Sequence, residues 1–167
     1  MPARVEPEIL RQYETDAERA LEVLLSSHNA GQAYAPFEVP HLAIVTCMDF
    51  RIHLRLPERF AFVLRTGGAN VRPIEGDLAY SVARTGIHAV ALIGHTDCAM
   101  ERPDPHAVDR LPASEEQRAE YRSQIASLAI RDARSFTLEQ AVKLEERLGL
   151  PVIGLMYDVD THQLERL

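Results

Sequence analysis

Residues 89–98 read Ala89-Val90-Ala91-Leu92-Ile93-Gly94-His95-Thr96-Asp97-Cys98, five apolar residues that run through a glycine into a histidine and a cysteine. A continuously apolar run of that length is what a strand needs when both faces of its sheet are covered, as in parallel sheets. The run His41-Leu42-Ala43-Ile44-Val45-Thr46 has the same character and leads into Cys47-Met48-Asp49-Phe50-Arg51. A third, Ala61-Phe62-Val63-Leu64, precedes a segment from Glu75 to Arg84 that places Leu78, Ala79, Val82 and Ala83 on one helical face, with Gly86 where a left-handed C-terminal cap would stand. Strand, helix and strand in that order make a parallel crossover. The chain therefore reads as α/β, with a mostly parallel central sheet flanked by helices, and its ligand-type side chains stand at strand ends, where open α/β sheets keep their chemistry.

Outward from this centre, Pro7 to His28 carries Ile9, Tyr13, Ala17, Leu21 and Leu24 at helical spacing, followed by a linker from Asn29 to Pro40 with Gly31, Pro36 and Pro40. Residues 1–36 are expected to form an N-terminal helical arm and linker of a single domain, 1–167, with the arm reaching away from the core toward another subunit. Glu101 to Pro112 has the composition of a surface loop. Ser114 to Gln117 matches a capping box, with Tyr121, Ile125, Leu128 and Ala129 continuing a helical stripe. Thr137 to Gln140 repeats the capping pattern ahead of a helix ending at Gly149, and Pro151 to Tyr157 supplies a last apolar strand before a turn at Asp158 to Thr161.

The 167 residues hold 18 basic and 25 acidic side chains, a net charge of -7. A nucleic-acid binder needs a basic surface, so none is expected as a partner. No signal pattern opens the chain and no apolar stretch approaches the roughly 20 residues that cross a bilayer, which makes a soluble cytoplasmic protein the expectation. In a reducing cytoplasm the two cysteines with His95 favour metal ligation or catalysis over a disulfide.

In an extended segment residues i, i+2 and i+4 share a side, so Cys47, Asp49 and Arg51 converge while Met48 and Phe50 face the core. His95 and Cys98 stand two residues apart, a spacing that lets a strand end and the following turn clasp one ion. Two thiolates and an imidazole suit Zn²⁺ and leave its fourth tetrahedral position open. Such a zinc can lower the pKa of a bound water to roughly 7. Asp49 would accept a hydrogen bond from that water while Arg51 holds the carboxylate in a fork of donors. Released by Arg51, Asp49 would itself become the fourth metal ligand and close the site. Either segment alone is commonplace, and a cysteine at a strand end is more usually a small core residue. Together they use every cysteine of the chain, leaving a metal-free Cys-His nucleophile as the chemical rival.

These segments resemble the β-class carbonic anhydrases, zinc enzymes that interconvert carbon dioxide and bicarbonate. The resemblance runs from about His41 to Met100 and resumes at Gly154 to Leu164, resting on Cys47-Met-Asp-Phe-Arg51, Arg65-Thr-Gly-Gly68 and Gly94-His-Thr-Asp-Cys98. It implies Cys47, His95 and Cys98 as zinc ligands, Asp49 and Arg51 as the catalytic dyad, and a homodimer or higher assembly of dimers with exchanged N-terminal helices. Three departures are visible: Ala99 stands where a glycine usually follows the second cysteine, Thr66 and Gly67 replace an Asn-Ala pair, and the stretch from Arg51 to Arg65 is shorter. They single out Gly67, Gly68 and Ala99 as substrate-pocket positions. The implied reaction is carbon dioxide hydration; hydrolysis of carbonyl sulfide or carbon disulfide by the same zinc hydroxide, or an inactive zinc-binding assembly subunit, are the alternatives. His53, two residues past Arg51, is a candidate proton relay, whereas His28, His41, His88, His106 and His162 read as surface or strand-end residues. Tyr80, Tyr121 and Tyr157 read as packing residues with their hydroxyls at the surface. The tryptophan-containing trio of some relatives' regulatory bicarbonate pockets has no counterpart, since the chain has no tryptophan.

Overall fold

Five strands form one sheet in the order β2-β1-β3-β4-β5: β1 is Leu42–Cys47, β2 Ala61–Thr66, β3 Val90–His95, β4 Val152–Tyr157 and β5 Leu164–Arg166. The first four are mutually parallel and β5 runs antiparallel to β4. The computed structural model describes residues 7–167, with side chains from Thr15 onward; the expected apolar positions Ile9 and Tyr13 lie outside the described side chains, and residues 1–6 outside the described residues.

The period of two along the strands divides the core. Leu42 and Ile44 of β1, with Ala91 and Ile93 of β3, face helix α1 (Pro7–Asn29), whose Ala17, Ala20, Leu21 and Leu24 are buried. Ala43 and Val45, with Val90 and Leu92, face α2 (Glu75–Thr85) and α4 (Ala133–Leu148) through Leu78, Val82, Ala141 and Leu144. Both faces of β1 and β3 are covered, as their unbroken apolar sequence requires, and each fully buried Ile or Leu there stabilises by about 1.5–3 kcal/mol. On α2 the expected stripe is narrower: Leu78 and Val82 are buried, Ala79 is half-buried and Ala83 is exposed. Gly86 caps the helix in a left-handed conformation.

Several expectations are corrected. The part of α1 with described side chains packs on its own chain, and Asn29 exchanges hydrogen bonds with the backbone of Leu164, so this part of the arm does not reach away. Strand β2 lies at the sheet edge with Phe62 and Val63 more than a third exposed, because one neighbour covers only one of its sides. Helix α3 (Glu115–Ser127) opens on the Ser114 to Gln117 capping box but ends before Leu128 and Ala129 and buries no residue. The second capping pattern does not operate. Asp132 caps α4, so Thr137 and Gln140 lie inside the helix, buried. Gln140 accepts from Val71 N–H and donates to Ala69 C=O, giving the segment after β2 the backbone partners it would otherwise lack.

Candidate metal centre

Strands β1 and β3 are neighbours, with Thr46 opposite Ile93, so Cys47 and His95 emerge side by side at their C-terminal ends. A tight turn after His95 returns Cys98. The ligand atoms of Cys47, His95 and Cys98 lie within 4.8 Å of one another, all three residues are buried, and no other such group of His, Cys, Asp or Glu occurs among the described residues. Both cysteines are free thiols.

The donor chemistry fits a metal. His95 Nδ1 lies 2.8 Å from the Thr96 carbonyl, and a carbonyl only accepts, so Nδ1 carries the proton and Nε2 presents its lone pair. Among the described residues, His95 Nε2 is the only fully buried side-chain nitrogen or oxygen without a hydrogen-bond partner. An orphan of that kind is costly unless something else binds it. Cys47 is prepared as a thiolate: the hydrogen bond from the Cys98 thiol first, with the backbone N–H of Gly68 beside it, holds its pKa well below the usual thiol value against the opposing effect of burial. Cys98 is pushed up by that same bond and by burial. Two sulfurs and an imidazole thus share protons at one point, where a divalent ion would satisfy all three.

Gly68 N–H donates to Cys47 Sγ at 3.2 Å from a left-handed backbone, φ 66°. A Cβ there would meet Ile130 Cδ1 at 2.9 Å, so glycine is required by space as well as by conformation. Gly67 packs beside Met100, while Thr66 Oγ1 donates across the turn to Asn70 C=O. Ala99 is exposed and its φ is not positive, so the backbone there needs no glycine.

Asp49 and Arg51 do converge, by a different route from strand alternation. The chain leaves β1 at Cys47 and turns, Ile52 N–H donating to Asp49 C=O, which exposes Met48 (65%) and Phe50 (86%) in place of burying them in the core. Arg51 donates from Nε to Asp49 Oδ1 at 3.0 Å and from Nη2 to Oδ2 at 2.8 Å, and its backbone N–H adds a third bond at 2.9 Å. These bonds, the Arg51 side chain first, bring the Asp49 pKa down to about 2. Asp49 Oδ2 stays 4.0 Å from His95 Nε2, beside the ligand cluster and turned toward Arg51. Because the folded value lies below the unfolded one of about 4, the pair stabilises fully above about pH 4 and loses that contribution as pH falls through about 2. Asp49→Asn should accordingly cost about 1 kcal/mol in thermal unfolding at neutral pH and progressively less as pH falls to about 2 and below; an equal cost throughout would contradict the ion pair.

Arg65, which the sequence shows only as part of a motif, and Tyr157, whose hydroxyl is buried where a surface position is expected, both support the site. Arg65 donates to the carbonyls of Cys47 and Ile52 and so ties both ends of the turn that carries the dyad. Tyr157, opposite His95 in the sheet, is fully buried, and its hydroxyl reaches Arg51 C=O at 3.3 Å and His162 Nδ1 at 2.8 Å. A buried tyrosine hydroxyl needs partners, and a turn leaving a strand end supplies carbonyls, which is the signal that finds it. His28 is also buried, its Nδ1 accepting from Arg55 N–H and its Nε2 donating to His162 C=O, so it is no surface residue. His53 lines a cavity of about 360 Å³ with His28, Tyr157 and His162, a cavity that none of Cys47, His95 and Cys98 lines.

No protein-family model matches the chain and no curated protein matches it in sequence. Solved structures do match. A carbonic anhydrase from Glaciozyma antarctica is similar over 98% of this chain and 96% of its own, at 22% identity and a TM-score of 0.65. The β-carbonic anhydrase isoform I of the protozoan Trichomonas vaginalis matches over 93% and 96%, at 18% identity and 0.67. An apo form of carbon disulfide hydrolase matches over 93% and 90%, at 20% identity and 0.57. The chain has the β-carbonic anhydrase fold.

Proposed function

We propose that the protein is a zinc-dependent carbonic anhydrase, catalysing the reversible hydration of carbon dioxide to bicarbonate and a proton. The observation that carries this reading is the orphaned, buried Nε2 of His95 facing two thiols beside an Asp49 that Arg51 holds away from them. Cys47, His95 and Cys98 would hold the zinc. When bound, the ion supplies Lewis acidity that lowers the pKa of water from about 15.7 to about 7.

The chain's own residues do the rest. Asp49, charged at every physiological pH because Arg51 holds its pKa near 2, accepts a hydrogen bond from the attacking water and aims its lone pair at carbon. Arg51 spends two side-chain bonds and one backbone bond on that carboxylate, so its orientation is fixed before substrate arrives. Gly68 N–H donates to Cys47 Sγ and adds to the bond from Cys98 that favours its thiolate form. We also assign the protein as a homo-oligomer: Met48 and Phe50 on the turn after β1, and Phe62 and Val63 on the edge strand β2, are large apolar side chains left exposed, as surfaces covered by a second copy are.

Stopped-flow hydration by zinc-loaded protein, at one pH near neutral and one alkaline, tests the reading. Activity at both with about one zinc per chain is expected. Zinc-loaded protein inert at both would overturn it. The structural likeness to carbon disulfide hydrolase favours one second reading, sulfide release from carbon disulfide or carbonyl sulfide. A sulfide assay on the same preparation separates the two. No described helix is long and apolar enough to cross a membrane.

A further inference from the structure

We propose that Asp97 is a positioning residue that fixes Arg51, and through it Asp49, in the arrangement that leaves the fourth metal position free. The inference rests on the metal-site reading above and concerns how that site is kept open.

Asp97 lies on the tight turn between His95 and Cys98, with a left-handed backbone, φ 54°. Asp and Asn tolerate that region better than most side chains, yet it still costs energy, and such residues persist where the surroundings enforce them. The surroundings here are one guanidinium. Arg51 Nη1 donates to Asp97 Oδ2 at 2.8 Å and Nη2 donates to the Asp97 carbonyl at 3.0 Å. With Nε and Nη2 also bonded to Asp49, four of the five Arg51 side-chain N–H groups are engaged, two by each aspartate. The guanidinium plane is therefore held from both ends.

Asp49 Oδ2 is already 4.0 Å from His95 Nε2, so a small rotation would carry it into the ligand cluster. What opposes that rotation is the grip of Arg51, and a guanidinium pinned at its far end cannot follow the carboxylate or turn away. Asp97 also competes for the charge of Arg51. Its carboxylate is 80% exposed, however, so water screens the charge while the hydrogen-bond geometry persists. Positioning outweighs competition, and the removal of Asp97 shifts the balance toward closure by the two- to fivefold that an exposed pair is typically worth, roughly.

The experiment uses the full chain loaded with zinc, titrated with azide, a small anion that takes an open position on zinc. Two variants are compared with the parent. Asp97→Gly removes the carboxylate and accepts the left-handed backbone without cost, and Asp97→Asn keeps a side-chain oxygen for Nη1. Zinc content is measured in each. The azide Kd is expected to rise about two- to fivefold in Asp97→Gly, with zinc content unchanged, and to stay near the parent value in Asp97→Asn. The sign is diagnostic, because loss of a negative charge alone would tighten an anion. In zinc-free protein the Arg51 Nε–H should exchange faster with solvent in Asp97→Gly by a similar factor. Unchanged or tighter azide binding in Asp97→Gly overturns the assignment, as does an equal loss in Asp97→Asn. A parent that fails to bind azide overturns both this assignment and the open site. A parent that binds azide with the expected variant response yet hydrates no carbon dioxide supports Asp97 and sinks only the proposed reaction.

Discussion

Cys47→Ser should strip the protein of metal and activity together: zinc falls from about one per chain to under about a tenth, and hydration drops by about three orders of magnitude or more. The thiolate is the reason. The hydrogen bond from Cys98 lowers the Cys47 thiol and raises its own, so the two sulfurs share a proton that an incoming ion displaces. A serine hydroxyl remains protonated there, and its Oγ offers zinc a weaker donor while still accepting from Gly68 N–H. The substitution changes little volume at a residue 4% exposed, so circular dichroism should show the fold intact. Metal analysis and stopped-flow kinetics on the same sample give the result. A variant with full zinc and parental rate would end the three-ligand reading.

Gly94→Ala should be the most damaging single methyl group outside the ligands. A Cβ at Gly94 would stand 2.3 Å from Thr137 Oγ1 and 3.3 Å from the Ala133 carbonyl, and Thr137 cannot retreat, since it is 1% exposed and donates to that same carbonyl at 2.7 Å. Overpacking of this kind costs about 1–3 kcal/mol, and here it also displaces the strand end that carries His95. Thr137→Ala removes the obstructing oxygen, so the double variant should recover most of the loss in chemical denaturation, a non-additivity of about 1 kcal/mol or more. Strict additivity of the two changes would show that Gly94 and Thr137 do not meet.

That pair also marks how far the sequence could be read. Strands β1 and β3 were legible because their apolar runs are unbroken, and the ligands because both cysteines and His95 follow those runs. Thr137 and Gln140 were misread as a capping motif, since a Thr-x-x-Gln pattern looks alike at a helix start and inside one; what decides is Asp132, one turn earlier, accepting from Ser135 N–H. The alternation rule placed Met48 and Phe50 in the core because it assumes that the strand continues, and the turn at Asp49 ends it. Arg65, Tyr157 and Asp97 act through backbone carbonyls and a guanidinium fork. Only Tyr157 is announced by its residue type, as a hydroxyl that needs partners at a strand end; for Arg65 and Asp97 the partner atoms are carbonyls and charges that many residues could supply.

Sheet pairing between Thr46 and Ile93 carries a last consequence, for the cost of assembly. In small zinc domains the ion gathers its ligands and the fold comes with it. Here backbone pairing of the two strands itself closes the loop of roughly fifty residues between Cys47 and Cys98, so the ligands do not hold its ends together alone. The sheet thus carries part of the cost of bringing the three donor atoms together, which in a small zinc domain would fall on the ion alone.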